Sequence, residues 1–347
     1  MRWALLPCVA LLMGACVNAM DKYVVANPIG QTLRIPDPDL ACRSANGSIP
    51  LVSGISSRAN RSLAITFTTA ALCSEAQAME AELEAARALV QLNGEARKIV
   101  ARDAGERERR LRSLTAARLW RAVQHVEAQY GPIGGDECPK LKKETDELTW
   151  FLGLVAGASA LLQDQAGGGE VGVPTDILGR VGRGAACLDA ETWWMAPAAV
   201  QAGSWSMVPG TAPAGVDPWQ RLTEAADQGD ETGMLLARGL QVQIASNAGR
   251  DADVRSGIAS LAKPMNAEPE FALLDAYARM TIQHQADLIW VKERGYRSRT
   301  PGELPSDASA PDGPNPFAED PFAEDPFADG PAIDPDAPVT PDEESPQ

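Results

Sequence analysis

Histidine is scarce in this chain, which has two, His125 and His284, among 347 residues. The sequence also lacks the HExxH, GxSxG and GxxxxGK[ST] patterns of zinc proteases, serine hydrolases and phosphate-binding loops. Neither a CxxC pair nor a nearby histidine accompanies the cysteines, so a zinc site has no ligand set. The glycines of GRVGRG at 179–184 follow no strand, which argues against a nucleotide loop. We therefore expect no enzyme activity, no metal and no cofactor.

Positive charge is missing from the C-terminal end. After Arg299 there is no lysine or arginine, while residues 301–347 hold thirteen Asp or Glu and twelve of the 26 prolines. This composition predicts a disordered acidic tail, and its PFAED-type repeats are better explained as a solubilising spacer than as a short-motif ligand. The net charge of −16 falls to −3 without the tail. The rest of the chain therefore has no basic face for nucleic acid.

A hydrophobic run long enough to cross a membrane is also missing from the body of the chain. The most apolar stretch, LTWFLGLVAGASALL at 148–162, has fifteen uncharged residues. A bilayer core requires about 20 in a helix, so we expect this stretch to be a buried helix. Gly153 and Gly157 in it have the spacing that lets two helices approach closely.

The alternation of apolar and polar residues that is typical of strands is absent, whereas apolar residues recur at helical spacing over residues 61–300. Short breaks with glycine, asparagine or proline are expected near residues 94, 132–136, 166–174, 209–216, 248–250 and 264–268. Such short breaks favour antiparallel helix pairs, and we expect an all-α fold in a tetratricopeptide-like helical array. Residues 20–60 contain Pro, Gly and Ser without long periodicity, which predicts an extended N-terminal arm.

The N-terminus resembles an export signal over residues 1–19. Arg2 precedes a short apolar run that ends at LMGAC, which is typical of a bacterial lipobox with lipidation at Cys16. Cleavage after Ala19 is the alternative and would yield a soluble periplasmic protein. Val17 after the cysteine favours the periplasmic side of the outer membrane as the destination.

The cysteine count agrees with export to an oxidising compartment. Beyond the signal, four cysteines remain, and four cysteines allow three pairings. Sequential pairing closes the shortest loops, so we expect Cys42–Cys73 and Cys138–Cys187. The chain-entropy estimate is about 3–4 kcal/mol for each bond.

Tryptophan supplies the clearest candidate binding residues. Trp193, Trp194, Trp205 and Trp219 fall within 27 residues of a segment rich in Pro, Gly and Ala. Two adjacent tryptophans cannot both face one core from a helix, so at least one is expected to contact a loop, a ligand or a partner. His284 is a second ligand candidate. The acidic residues of helical segments such as MEAELEAA at 79–86 are interpreted as solvated faces.

Three segments, in order, resemble the T-component of TRAP transporters, the TatT-like lipoproteins. They are ELTWFLGLVAGASALLQDQ, ILGRVGRGAACLDAETWW and PEFALLDAYARMTIQHQADLIW, the last with Gln283, Ala286 and Leu288 at the family's core spacing. The resemblance implies a tetratricopeptide-like periplasmic lipoprotein that holds the solute-binding protein of a TRAP system.

We therefore expect a lipid-anchored periplasmic adaptor that acts through protein–protein interaction. The alternatives are a carrier of an apolar or organic-acid ligand in a Trp-lined cavity, and a structural lipoprotein of the envelope.

Overall fold

A computed structural model describes residues 30–55, 59–264 and 267–305. Over these ranges the chain is all-α, without a strand, so the predicted fold class is confirmed. The signal with Cys16 and residues 306–347, which include the PFAED repeats, lie outside the described residues. The disordered tail predicted from residue 301 is wrong for residues 301–305, because Leu304 is buried and Trp290 donates from Nε1 to the Glu303 carbonyl at 2.8 Å. No helix in the described ranges is both long and apolar enough to span a membrane.

Eleven α-helices follow one another in the described residues. Their bounds are α1 Gly30–Leu33, α2 Pro38–Ile55, α3 Asn60–Gln91, α4 Gly94–Tyr130, α5 Glu144–Gly167, α6 Ile177–Ala185, α7 Ala196–Met207, α8 Pro218–Glu231, α9 Leu236–Asn247, α10 Asp251–Ile258 and α11 Ala272–Arg294. Each helix from α2 to α10 packs against the next along the chain, as in an array of helix pairs. All six predicted breaks fall at or beside connections between these helices.

The long helices α3 and α4 form the central antiparallel pair. Arg118 of α4 donates from Nη1 to the carbonyl of Ala70 at 2.9 Å, while Arg107, three turns earlier, pairs with Glu84 near the far end of α3. Both helices bury several alanines, among them Ala70 and Ala81 on α3 and Ala116 and Ala122 on α4. Alanine permits close approach of two helices without loss of helix propensity.

Helix α5 contains the apolar stretch 148–162 and lies in the core. Trp150, Phe151 and Leu154 are all almost completely buried. A Cβ added at Gly153 would lie 2.6 Å from a methyl group of Val126 on α4, closer than real side chains approach. The glycine therefore sets the distance between α5 and α4, as its spacing predicted.

The closing helix α11 returns to the central pair and runs alongside α3 in the same direction. Tyr277 contacts Glu75, and Leu288 and Val291 pack against Leu83. At the end of α11, Gln91 of α3 donates to the Gly295 carbonyl at 2.8 Å. The final helix thereby contacts the first long helix over several turns.

The extended arm predicted for residues 20–60 is wrong where the structure describes it. Asp37 accepts hydrogen bonds at Oδ1 from the amides of Asp39 and Leu40, at 2.9 and 3.1 Å, and thus caps helix α2. Helix α2 continues to Ile55 and contains Pro50. It packs on α3, so tertiary contact overrides its poor helix propensity.

Both predicted disulfides are present. Cys42–Cys73 joins α2 to α3, with Cα atoms 5.4 Å apart. Cys138–Cys187 joins the connection after α4 to the connection after α6, with Cα atoms 5.5 Å apart. Two disulfides are typical of proteins that reside in an oxidising compartment.

Candidate functional site

A groove of about 480 Å³ opens along the seam between α3 and α11. Helix α4 and the start of α2 complete its walls. Its lining residues are Asp39, Arg43, Cys73, Ala76, Gln77, Met79, Glu80, Leu83, Arg107, Leu111, Met280, Gln283, His284 and Asp287. This volume lies within the range of small-molecule sites, about 300–1,000 Å³.

The groove is layered from an apolar floor to a charged rim. Met79 and Leu83 are buried on α3, and Leu111 and Met280 are partly buried opposite them. The rim residues Asp39, Arg43, Gln77, Glu80 and Arg107 are all exposed. An apolar floor with polar groups at its edge suits a ligand that has both characters.

His284 is the polar residue at the base of the groove. The side chain is 6% exposed, and Nε2 lies 2.9 Å from Oε2 of Glu82 on α3. The other ring nitrogen, Nδ1, is buried and has no hydrogen-bond partner among the described residues. Buried polar atoms nearly always have a partner, so an unpartnered nitrogen indicates a place for one.

The state of Glu82 decides which ring nitrogen of His284 carries the proton. Burial alone raises the pKa of Glu82, but the hydrogen bond and charge of His284 and the charges of Arg112 and Lys292 outweigh it and lower that pKa. An ionised carboxylate only accepts hydrogen bonds, so Nε2 must donate to Glu82. In the neutral ring, Nδ1 then carries a lone pair.

A chain of polar contacts leads from Glu82 into the core. Arg112 binds Glu82 at 2.6 Å and donates from Nη1 to Gln163 at 3.1 Å. Gln163 and Tyr277 each donate to Oε1 of Glu75 at 3.2 Å. The base of the groove is therefore connected to a second, inner carboxyl.

Glu75 lines an inner cavity of about 50 Å³ that follows the groove along the same seam. The other lining residues are mostly apolar, from α1, α3, α4, α5, α9 and α11: Leu33, Thr68, Thr69, Leu72, Leu119, Phe151, Leu152, Val155, Ala156, Ser159, Leu236, Leu273, Leu274 and Tyr277. Burial raises the pKa of Glu75 to about 7, against the opposing charge of Arg112 and the two hydrogen bonds. This carboxyl therefore titrates near neutral pH rather than in the usual acidic range.

The tryptophan prediction assumed that Trp193 and Trp194 project from a helix, and this premise is wrong. Trp193 and Trp194 lie in the connection after α6, where Trp194 and Met195 have φ values of 51° and 60°. This left-handed backbone lets both indoles turn inward, and both are buried. Trp193 stacks on Phe151, and both tryptophans meet Phe271 edge to face. They fill the core beside α5.

The other two tryptophans also have partners within the chain. Trp205 is partly buried against the main core, and the guanidinium of Arg250 lies 4.3 Å from the ring centre of Trp219. A third cavity, of about 20 Å³, lies between α5, α6, α7 and α9. None of these three cavities has a tryptophan in its wall. The Trp-lined ligand cavity of the carrier alternative is therefore not one of these three cavities.

Sequence reasoning identified His284 but missed its partners. Glu82 lies within MEAELEAA, which was interpreted as a solvated face, yet its carboxylate holds His284 and Arg112. Glu75 precedes Met79 by four residues, and Glu82 follows it by three, so both belong to the apolar side of α3. The sequence signal that could have identified these two residues is an acidic side chain at the helical spacing of the apolar residues. Among the described residues, no group of three or more His, Cys, Asp or Glu side chains is placed to hold a metal.

Comparison of the chain with protein-family models, with curated proteins and with solved structures finds no match. The resemblance to the TRAP T-component stays a prediction based on the three segments described above.

Proposed function

We propose that this chain is a non-enzymatic binding protein that holds a small amphipathic molecule in the groove between α3, α4 and α11. The single observation that carries the proposal is the buried, unpartnered Nδ1 of His284 beside an apolar floor. Leaving a buried polar atom unsatisfied costs about 1–3 kcal/mol, and a ligand that bonds to it recovers that cost.

The lining of the groove supports binding without catalysis. It contains no serine or threonine, and its one cysteine, Cys73, is held in a disulfide. His284 donates to Glu82, and no hydroxyl or thiol in the lining is available for it to activate. The groove thus offers shape, apolar contact and hydrogen bonding.

Filling the groove tests the proposal. Ala76→Trp places a large side chain in the wall, and Ala128→Trp, on an exposed position of α4, is the matched control. Native mass spectrometry of the full chain, purified without denaturation, measures the small molecule that stays bound. We expect Ala76→Trp to lose that molecule and Ala128→Trp to retain it. Equal occupancy in both variants, or no bound molecule in the parent chain, contradicts the proposal.

For the biological setting, we propose lipid anchoring at Cys16 and association with the solute-binding protein of a TRAP-type system. The two disulfides support residence in an oxidising compartment, and the three resembling segments support the partner. A native pull-down analysed by mass spectrometry should recover a solute-binding protein. Processing that is insensitive to globomycin, with Met20 at the mature N-terminus, would remove the anchor from the proposal.

A further inference from the structure

We infer that the ligand of the groove carries a protonated amine, which binds between His284 and Asp287 while its hydrocarbon part lies on the floor of Met79 and Leu83. This inference rests on the function proposed above and adds the chemical class of the ligand's head group. It follows from two independent features of the groove, namely its hydrogen-bond acceptors and its charge balance.

The inner polar groups of the groove are acceptors. In the neutral ring of His284, Nδ1 has a lone pair because Nε2 donates to Glu82. Gln283 uses its amide nitrogen to donate to Oδ1 of Asp287 at 2.7 Å, which leaves its carbonyl oxygen to accept. Asp287 can only accept when ionised. An ammonium group has three donors and no acceptor, so it complements this set.

The charge balance also favours a cation. Glu80 and Asp287 share the single guanidinium of Arg297, which lies 3.7 Å from Asp287, beyond hydrogen-bond distance. Behind His284, Glu82 and Glu108 share Arg112. These four carboxylates face two arginines, and Lys292 near Glu82 supplies one further positive charge. With the ring of His284 neutral, one negative charge therefore remains uncompensated around the base of the groove.

Asp287 bears this imbalance most directly. It is 8% exposed, and burial raises its pKa against the effects of Gln283, Arg297 and His284. The guanidinium of Arg297, at 3.7 Å, is not close enough to donate a hydrogen bond to this carboxylate. A buried carboxylate with such incomplete pairing is costly, and a ligand ammonium placed beside it offsets that cost.

A carboxylate ligand fits the same groove poorly. The two arginines in its lining, Arg43 and Arg107, lie at the rim with side chains 72% and 50% exposed. Each is already paired, with Asp39 and with Glu84. Neither reaches the base of the groove as an unpaired cation that would hold an anionic head group.

Three probes with one hydrocarbon tail separate the possible head groups: hexylammonium, 1-hexanol and hexanoate. Calorimetric titration of the full chain at about 0.15 M salt limits non-specific attraction to the acidic chain. We expect hexylammonium to bind at least about tenfold more tightly than hexanoate, with 1-hexanol between them. Asp287→Asn should weaken hexylammonium about tenfold and leave 1-hexanol unchanged. Asp136→Asn, an exposed change in the connection after α4, is the control.

The outcomes distinguish the head group from the site. Hexylammonium that binds most tightly, is lost in Ala76→Trp and is weakened about tenfold in Asp287→Asn supports the inference. Hexanoate that binds as tightly as hexylammonium, and is lost in Ala76→Trp, overturns the amine and leaves the groove as the site. Binding of all three probes that is unaffected by Ala76→Trp, or no binding at all, overturns both the inference and the proposed function.

Discussion

Replacing Glu75 by glutamine removes the most buried titratable carboxyl of the polar chain while keeping its shape. The side chain is 2% exposed, and Oε1 accepts hydrogen bonds from Gln163 and Tyr277. The glutamine carbonyl can accept both bonds, and the amide nitrogen takes the place of the second oxygen. The substitution therefore changes ionisation and little else.

The expected size of the effect follows from the pKa of Glu75. It is about 7 in the folded chain against an ordinary 4.5. Between these pH values the folded chain retains a proton that the unfolded chain has released, so the stabilisation is complete below pH 4.5 and is lost as the pH rises through 7. At about 1.4 kcal/mol per pKa unit, the loss is about 3 kcal/mol. Glu75→Gln cannot ionise and avoids this loss.

Urea unfolding followed by circular dichroism, at several pH values from 4.5 to 8, measures the difference. The gap in free energy of unfolding between Glu75→Gln and the parent chain should widen with pH and reach about 3 kcal/mol above pH 7. In thermal unfolding this corresponds to roughly 6–12 °C. Glu268→Gln, at an exposed position, is the control. A gap that stays constant across the pH series refutes the raised pKa of Glu75.

Two further substitutions test packing. Gly153→Ala should lower the free energy of unfolding by about 1–2 kcal/mol in urea, because overpacking outweighs the gain in helix propensity. Gly47→Ala, in open space on α2, should instead raise it by about 0.5–1 kcal/mol, and a stabilised Gly153→Ala would show that α4 and α5 can separate freely. Trp193→Ala should cost about 3–5 kcal/mol and leave hexylammonium affinity unchanged, whereas selective loss of ligand affinity at normal stability would restore Trp193 as a binding residue.

A helix could be predicted where apolar residues recur at helical spacing and a residue typical of a helix start or end marks its boundary. Aspartate before proline is a helix-start signal and glycine a helix-stop signal, and Asp217–Pro218 begins α8 while Gly295 ends α11. Two connections were not foreseen, at 186–195 and 232–235. In the first, left-handed residues that are not glycine turn the chain, and no residue type announces that conformation.

Helix α2 shows where local composition misleads. The same Asp-Pro start that marks α8 stands at Asp37, but Gly47 and Pro50 suggested an extended segment. Contact with α3 and the bond from Cys42 to Cys73 hold the helix instead. Propensity is a weak prior, and neighbours distant in sequence decide such cases.

The candidate site was only partly predictable for a related reason. His284 could be singled out as a rare residue, but Glu82 is 202 residues away in the chain. Helical periodicity shows which face of a helix is apolar, and it does not show which helix covers that face. The pairing of α3 with α11 therefore came from the structure, together with the groove that it forms.

The cross-link from Cys42 to Cys73 has a consequence for when the molecule can act. Cys73 belongs to the groove wall, and α2 carries Asp39 and Arg43 at the opening. In a reducing cytosol the disulfide does not form, because thiols there stay reduced. Helix α2 is then not cross-linked to α3. If the groove binds a ligand as proposed, we expect a chain that lacks this disulfide to retain that ligand less well. We expect hexylammonium to bind more weakly after mild reduction of the Cys42–Cys73 disulfide, with helix content preserved.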